Sequence, residues 1–126
     1  MNRENREILF RGQRLDNDEW AYGDLLHLPN GDVVILSDKG YTKVKPETVG
    51  QFTGLTDKNG NKIFGGNIVK CLSLEYGYVN KEVYYAEDRA RFVLGSLGSD
   101  YDFEEYINVE VIGNIYDNPE LLYNGD

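Results

Sequence analysis

A catalytic centre needs groups that converge, and this chain offers few of the usual ones. His27 is its only imidazole and Cys71 its only thiol. A His-assisted Ser or Cys nucleophile can be drawn on paper, but no local signature places one beside His27. His27 therefore reads as a strand residue with a structural or surface role. Cys71, between Lys70 and Leu72 in a strand-like run, reads as a small buried filler. A zinc site takes about four ligands, usually Cys and His, and two such residues do not make one. Asp57-Lys58-Asn59-Gly60-Asn61 faintly resembles a calcium loop. The position that requires Gly holds Lys62, so the segment reads as a hairpin turn. Neither a phosphate-binding Gly-Lys-Ser/Thr loop nor a dinucleotide fingerprint occurs. The residues thus name no catalytic group, no metal site and no cofactor.

Two other groups of side chains could do chemistry by contact. Asp100, Asp102, Glu104 and Glu105 crowd a stretch rich in Gly, Ser and Asp, which predicts a mobile loop over residues 95–102. Such carboxylates could hold a hard divalent ion weakly, but solvated charges are the simpler reading. They belong to a wider asymmetry. Residues 1–91 carry all 13 Lys and Arg with 14 acidic residues, whereas residues 92–126 carry eight acidic residues and no Lys or Arg. The formal charge of −9 is almost wholly C-terminal. Phosphate neutralisation needs Lys and Arg, so direct nucleic-acid contact through the C-terminal third is excluded as the leading idea. The acidic end is a solubility feature, a docking surface for a basic partner, or a nucleic-acid mimic. The second group is aromatic. Trp20 and Tyr22 fall on one face of a strand by period-2 alternation and form the pair best suited to a peptide or base groove.

The elements that must position these residues are short strands. Ten Tyr and many Val and Ile favour half-buried strands. Strand patterns run over residues 8–11, 19–26, 33–36, 41–44, 49–54, 68–72, 79–85, 92–94 and 107–116, with a bulge expected at Gly113. Asn30-Gly31 and Asn59-Gly60 mark hairpins, and type I′ turns would put φ > 0 on both residues of each pair. Asn118-Pro119-Glu120 suits the start of one helical turn, with Asn as cap and Pro first. No long segment has a clean helical period. Trp20, Tyr22, Phe52, Phe64, Tyr84, Tyr85, Tyr106 and Tyr116 supply the core and its rim.

Three blocks in order resemble the YopX-like family of bacteriophage and prophage proteins. They are Phe10-Arg11-Gly12 with Glu19-Trp20-Ala21-Tyr22-Gly23, then Val49 through Gly60 with Ile63-Phe64 and Ile68-Val69, then Val111 through Leu122. The resemblance spans nearly the whole chain. It implies a mainly β fold, all-β in class. Short antiparallel strands would form an SH3-like barrel over residues 49–126, with an additional N-terminal β subdomain over 1–48 and a short C-terminal helical turn. The family typically has Glu-Gly-Asp where this chain has Gly65-Gly66-Asn67. Either two functional carboxylates are missing, or a turn has been rebuilt from residues that tolerate left-handed backbone. The turn is the favoured reading.

At 126 residues the chain is expected to be a single domain with a real core. The charged start, Met1 to Glu7, lacks the apolar region of a signal peptide, and no run approaches the roughly 20 apolar residues of a membrane span. A lone Cys fits a reducing compartment. The expectation is a protein of the bacterial host's cytoplasm. It is non-enzymatic, without a cofactor and off the membrane, and it binds a host or phage protein. Homo-oligomerisation is left open. The alternatives are a nucleic-acid-linked protein or mimic and, last, a carboxylate-based metal-dependent hydrolase.

Overall fold

Period-2 alternation and turn residues build this molecule almost throughout. The computed structural model describes residues 6–96 and 99–124. Among the described residues it is mainly β, with two antiparallel ladders, one short α-helix and two single-turn 3-10 helices. The chain divides into two compact units, Met1–Gly54 and Leu55–Asp126.

The N-terminal unit holds β1 (Phe10–Gln13), β2 (Trp20–His27), β3 (Val33–Ser37), β4 (Gly40–Lys43) and the start of β5 (Gly50–Thr56). Its ladder runs β4-β3-β2-β1-β5. Antiparallel register sets Gln13 opposite Trp20, Arg11 opposite Tyr22, and Leu25 opposite Ile35. Val33, Ile35 and Val44 are the buried centre, with Phe10, Ala21, Leu25 and Val49 packed on them. A single-turn helix, Pro46–Thr48, leads into β5. It is tied to β1 by the Gln13 N–H, which donates to Thr48 Oγ1 at 2.9 Å, and by the Lys45 N–H, which donates to the Gln13 carbonyl at 2.8 Å. The division between units falls within β5, at Gly54 and not after residue 48, because β5 returns to pair Gly50 and Gln51 with β1.

The C-terminal unit holds β6 (Lys62–Phe64), β7 (Asn67–Ser73), β8 (Gly77–Ala86), β9 (Arg91–Ser96), β10 (Ser99–Tyr101), β11 (Ile107–Asn114) and α1 (Glu120–Asn124). A one-turn helix, Phe103–Glu105, joins β10 to β11. The ladder order is β10-β9-β8-β7-β11, so a four-strand meander is followed by a last strand returning beside the first. Among the described residues β10 and β11 are its edge strands, and the pairing does not itself close a barrel. Ile63, Val69, Cys71, Val83 and Leu94 form the core.

Four local expectations change. The loop predicted over 95–102 is a strand pairing: Asp100 faces Gly95 and Tyr101 faces Leu94 across β9 and β10, while Leu97 and Gly98 lie outside the described residues. Small polar residues there signalled a loop, but antiparallel pairing of Ser99, Asp100 and Tyr101 with Ser96, Gly95 and Leu94 overrides composition. The Asn-Gly turns are not type I′. Only Gly31 (φ 96°) and Gly60 (φ 85°) have positive φ, not the Asn before them. In each, the Gly N–H donates to the carbonyl three residues back, Leu28 or Asp57, giving the turn-plus-bulge form of hairpin. Asn118 does not cap α1 with its side chain. Its Oδ1 instead accepts from the Asn114 N–H at 3.2 Å, and its backbone carbonyl accepts from the Leu121 N–H. Strand β1 starts at Phe10 and reaches Gln13, later than predicted. The bulge near Gly113 is present as a register shift between Val111 and Gly113.

Candidate functional site

Strand β2 carries the aromatic pair singled out above. Trp20 is half-buried and Tyr22 is 46% exposed. The guanidinium of Arg11 lies 3.9 Å from the Trp20 ring centroid. Arg11 is itself buried, so this is a stacked cation held among packed groups, where such contacts are strongest. The register explains it: Arg11 faces Tyr22 directly and reaches Trp20 along the diagonal. Trp20 and Tyr22 line an open groove of about 430 Å³ in the N-terminal unit, together with Ala21, Ile35 and Thr42. Arg14, Glu19, Asp38 and Lys39 mark its rim. The indole is therefore a rigid wall, and the phenol is an accessible edge beside it.

The four acidic candidates occupy the other unit and do not behave as one patch. Asp102 is joined to Arg89 at 2.6 Å and to Arg91 at 3.6 Å, and Glu104 to Arg91 at 3.2 Å. Glu105 turns back, its Oε2 accepting from the Asp102 N–H at 2.9 Å. Asp100 is half-buried in β10. A window drawn at residue 92 left Arg89 and Arg91 just outside it. The β8–β9 turn and β9 bring them back onto the Asp102 segment. Among the described residues no three His, Cys, Asp or Glu side chains are grouped to hold a metal ion.

The remaining candidates are not assembled into a reactive centre. His27 is exposed at the end of β2 in the N-terminal unit. Cys71 is fully buried in the core of the C-terminal unit, and burial pushes its thiol up to about 11. A thiol so placed is inert as a nucleophile near neutral pH. Asp57, the first residue of the calcium-like segment, is buried and fully engaged by the chain. Its Oδ1 accepts from the N–H groups of Asn59 and Asn61, each at 2.9 Å, and its Oδ2 accepts from the Val111 N–H at 2.9 Å. The Asn61 Nδ2 also donates to Oδ2 at 3.4 Å, so the carboxylate organises a turn.

The comparisons address the whole chain. The family model described as YopX protein matches residues 9–123. The chain belongs to the YopX family. No curated protein matches it. Among solved structures, the crystal structure of protein EF1440 from Enterococcus faecalis is similar, at 23% identity and a TM-score of 0.58, covering 94% of this chain and 99% of that one. At that identity the likeness speaks for the fold alone.

Within this YopX-family chain, Gly65 and Gly66 form the turn between β6 and β7, and Asn67 opens β7. Gly66 has φ 94°, and its N–H and carbonyl bond to Val83 and Ile115. Asn67 is buried, and its Oδ1 accepts from the Phe64 N–H at 2.7 Å while its Nδ2 donates to the Gly113 carbonyl at 3.4 Å. An Asp here would keep the first bond and lose the second. The residues that sequence reasoning passed over are Arg11, Arg89 and Arg91. Their partners are set by strand register, which no short motif records.

Proposed function

We propose that this YopX-family protein is a phage or prophage accessory protein of the host cytoplasm that acts without catalysis, by binding another protein through the β2 groove of its N-terminal unit. The observation that carries the reading is the Trp20 ring held under Arg11 at the wall of an open groove, with Tyr22 exposed beside it. Rigid aromatic side chains supply large contact area at small entropic cost, which is why they dominate protein-binding hot spots. The groove's rim carries both signs of charge, which suits a polypeptide better than a polyanion.

Direct contact with nucleic acid is less well supported. In the N-terminal unit Arg14 pairs with Asp16, Lys43 with Asp32 and Lys45 with Asp18. Each of these three cations thus already has a carboxylate, which offsets the field a phosphate backbone would need. Mimicry by the acidic end is weakened by the Arg89 and Arg91 pairs. The carboxylate-based metal-dependent hydrolase is weakened by the same pairs, since Asp102 and Glu104 meet Arg89 and Arg91.

The test is affinity capture from infected host cells with wild-type protein and with Tyr22→Ala. Tyr22 is exposed, so its truncation leaves the core intact. The reading expects a defined protein partner whose recovery falls about tenfold or more with the variant. Recovery abolished by nuclease, or unchanged by the variant, would reject it.

A further inference from the structure

Charge and aromatic rings converge at one end of the β7–β8 hairpin. Ser73 pairs with Gly77, and Leu74-Glu75-Tyr76 form the turn between them. Ser73 Oγ accepts from the Glu75 and Tyr76 N–H groups at 3.2 Å each, and Gly77 takes the left-handed backbone at φ 78°. The turn so fixed holds two large apolar side chains out of the fold, Leu74 at 89% and Tyr76 at 76% exposure. They stand at the mouth of a cavity of about 320 Å³, whose walls include Val79, Lys81, Tyr101, Glu105 and Tyr106. Tyr101 meets Tyr106 edge to face at 5.9 Å.

The charges of the lining select a guest. Register pairs Lys81 with Val69 of the core, so Lys81 stands on the inward face of β8. Its ammonium lies 5.3 Å from the Tyr101 ring centroid and is engaged within the fold. Glu75 and Glu105 are exposed, and hydrogen bonding does not discharge them. Glu75 accepts from the Tyr76 hydroxyl, and Glu105 engages one oxygen, Oε2, with the Asp102 N–H. Two carboxylates against one ammonium leave the lining at net −1. The unit around it, Leu55–Asp126, holds six Lys and Arg against 13 Asp and Glu, a net −7. A cation is therefore favoured at the mouth, beside the two exposed carboxylates, and disfavoured deeper, beside Lys81. A guanidinium suits the mouth better than an ammonium. It is planar, so it stacks on a tyrosine ring while forking onto a carboxylate, and its stem is apolar.

We propose that the mouth of this cavity receives an arginine side chain displayed by a partner polypeptide. Glu75 and Glu105 pair with the guanidinium, Tyr76 and Tyr106 are its aromatic walls, and Leu74 and Val79 meet its stem. The occupant is a polypeptide because Leu74 and Tyr76 protrude past the mouth, and only a body larger than one side chain covers them. The site lies wholly in the C-terminal unit and does not rest on the β2 groove, so either reading can fail alone.

The experiment is titration of the isotope-labelled protein by NMR, since the only Trp lies in the N-terminal unit and reports nothing here. The probes are a tetrapeptide blocked at both ends with one Arg, the same peptide with citrulline, its neutral isostere, and the same peptide with Lys. The expected result is saturable shifts at Leu74, Tyr76, Val79 and Tyr106 for the Arg peptide, with citrulline about tenfold weaker or worse and Lys in between. Glu75→Gln and Glu105→Gln should each weaken the Arg peptide about threefold or more. Glu120→Gln, at an exposed position of α1, removes the same charge from the unit and should leave its affinity unchanged. Binding of citrulline or Lys as tight as that of Arg would overturn the proposal. So would shifts that map elsewhere, or a loss on Glu120→Gln equal to that on Glu75→Gln and Glu105→Gln, which would mean attraction to the diffuse field alone.

Discussion

The carboxylate of Asp57 accepts the backbone N–H of Val111 at 2.9 Å and thereby fastens the 57–61 turn to strand β11. The turn's own contacts reinforce this tie, since the Lys58 N–H donates to the Val109 carbonyl at 2.9 Å. Three N–H groups converge on one buried side chain. Asp57→Asn places an amide N–H₂ or a single carbonyl where two acceptor oxygens now sit, so one buried N–H loses its partner. The expected cost is about 1–3 kcal/mol, read as a lower denaturant midpoint.

The same residue gives a pH signature. Burial pushes the Asp57 carboxyl up, but the N–H donors of Val111, Asn61 and Asn59 outweigh it, and its folded pKa lies below the ordinary value. A depressed folded pKa means stability fully present above the unfolded value, about 3.9, and lost as pH falls through the folded value. Glu82 works in the opposite sense, because burial raises its pKa. The clean measurement is therefore the difference between wild type and Asp57→Asn across pH. That difference should be constant near neutrality and shrink below about pH 4. A difference that stays flat into acid would disprove the assignment.

The class of fold was legible because alternation and turn residues are local properties. Val33-Val34-Ile35, the β8 alternation and the Pro119 helix start are each readable within a few residues. What escaped depends on register between distant segments. Arg11 over Trp20 needs the β1–β2 pairing, and Arg89 on Asp102 needs the β8–β9–β10 meander. Trp20 and Tyr22 were readable as a pair because both sit on one strand. The inward Lys81 was readable as an alternating residue, but its alternation with Val79 and Val83 only acquires meaning once that face is known to be the core. Gly12 was visible as part of a block, without its reason.

That reason is Val44. A Cβ built on Gly12 would lie 2.9 Å from Val44 Cγ2 and 3.0 Å from Val44 Cβ. Val44 is 2% exposed and β-branched, so it has little rotamer freedom with which to yield. Gly12→Ala is expected to destabilise the N-terminal unit by about 1–3 kcal/mol through overpacking. Gly12→Ala combined with Val44→Ala should recover part of that loss, because the clash and its partner are removed together. Strict additivity in equilibrium unfolding would place the strain elsewhere.

Cys71 offers a probe of the C-terminal core. Its Sγ lies 3.7 Å from the Val79 carbonyl, and the side chain is fully buried. With its pKa at about 11, little thiolate exists at pH 8. Alkylation by iodoacetamide at pH 8 should therefore proceed only through opening of the core, at a rate that rises steeply with denaturant. Mass spectrometry of timed samples follows it. Rapid native-state labelling, matching the rate in strong denaturant, would mean the core around Val69 and Val83 is open.

The acidic end supplies the last prediction. If Asp102 and Glu104 were free charges, neutralising them would relieve repulsion and raise stability. They are instead paired to Arg89 and Arg91, at 25% and 72% side-chain exposure. Exposed pairs of this kind contribute about 0–1 kcal/mol and are screened by salt. Asp102 is the more enclosed and meets both arginines, so Asp102→Asn should cost more than Glu104→Gln, with both losses within about 1 kcal/mol. The double variant Arg89→Gln with Asp102→Asn isolates the coupling. Coupling should be measurable at low ionic strength and fade by about 1 M salt, where the Debye length is near 3 Å. A rise in stability on Asp102→Asn would show that the acidic surface repels itself despite the arginines, and would restore it as a surface held ready for a basic partner.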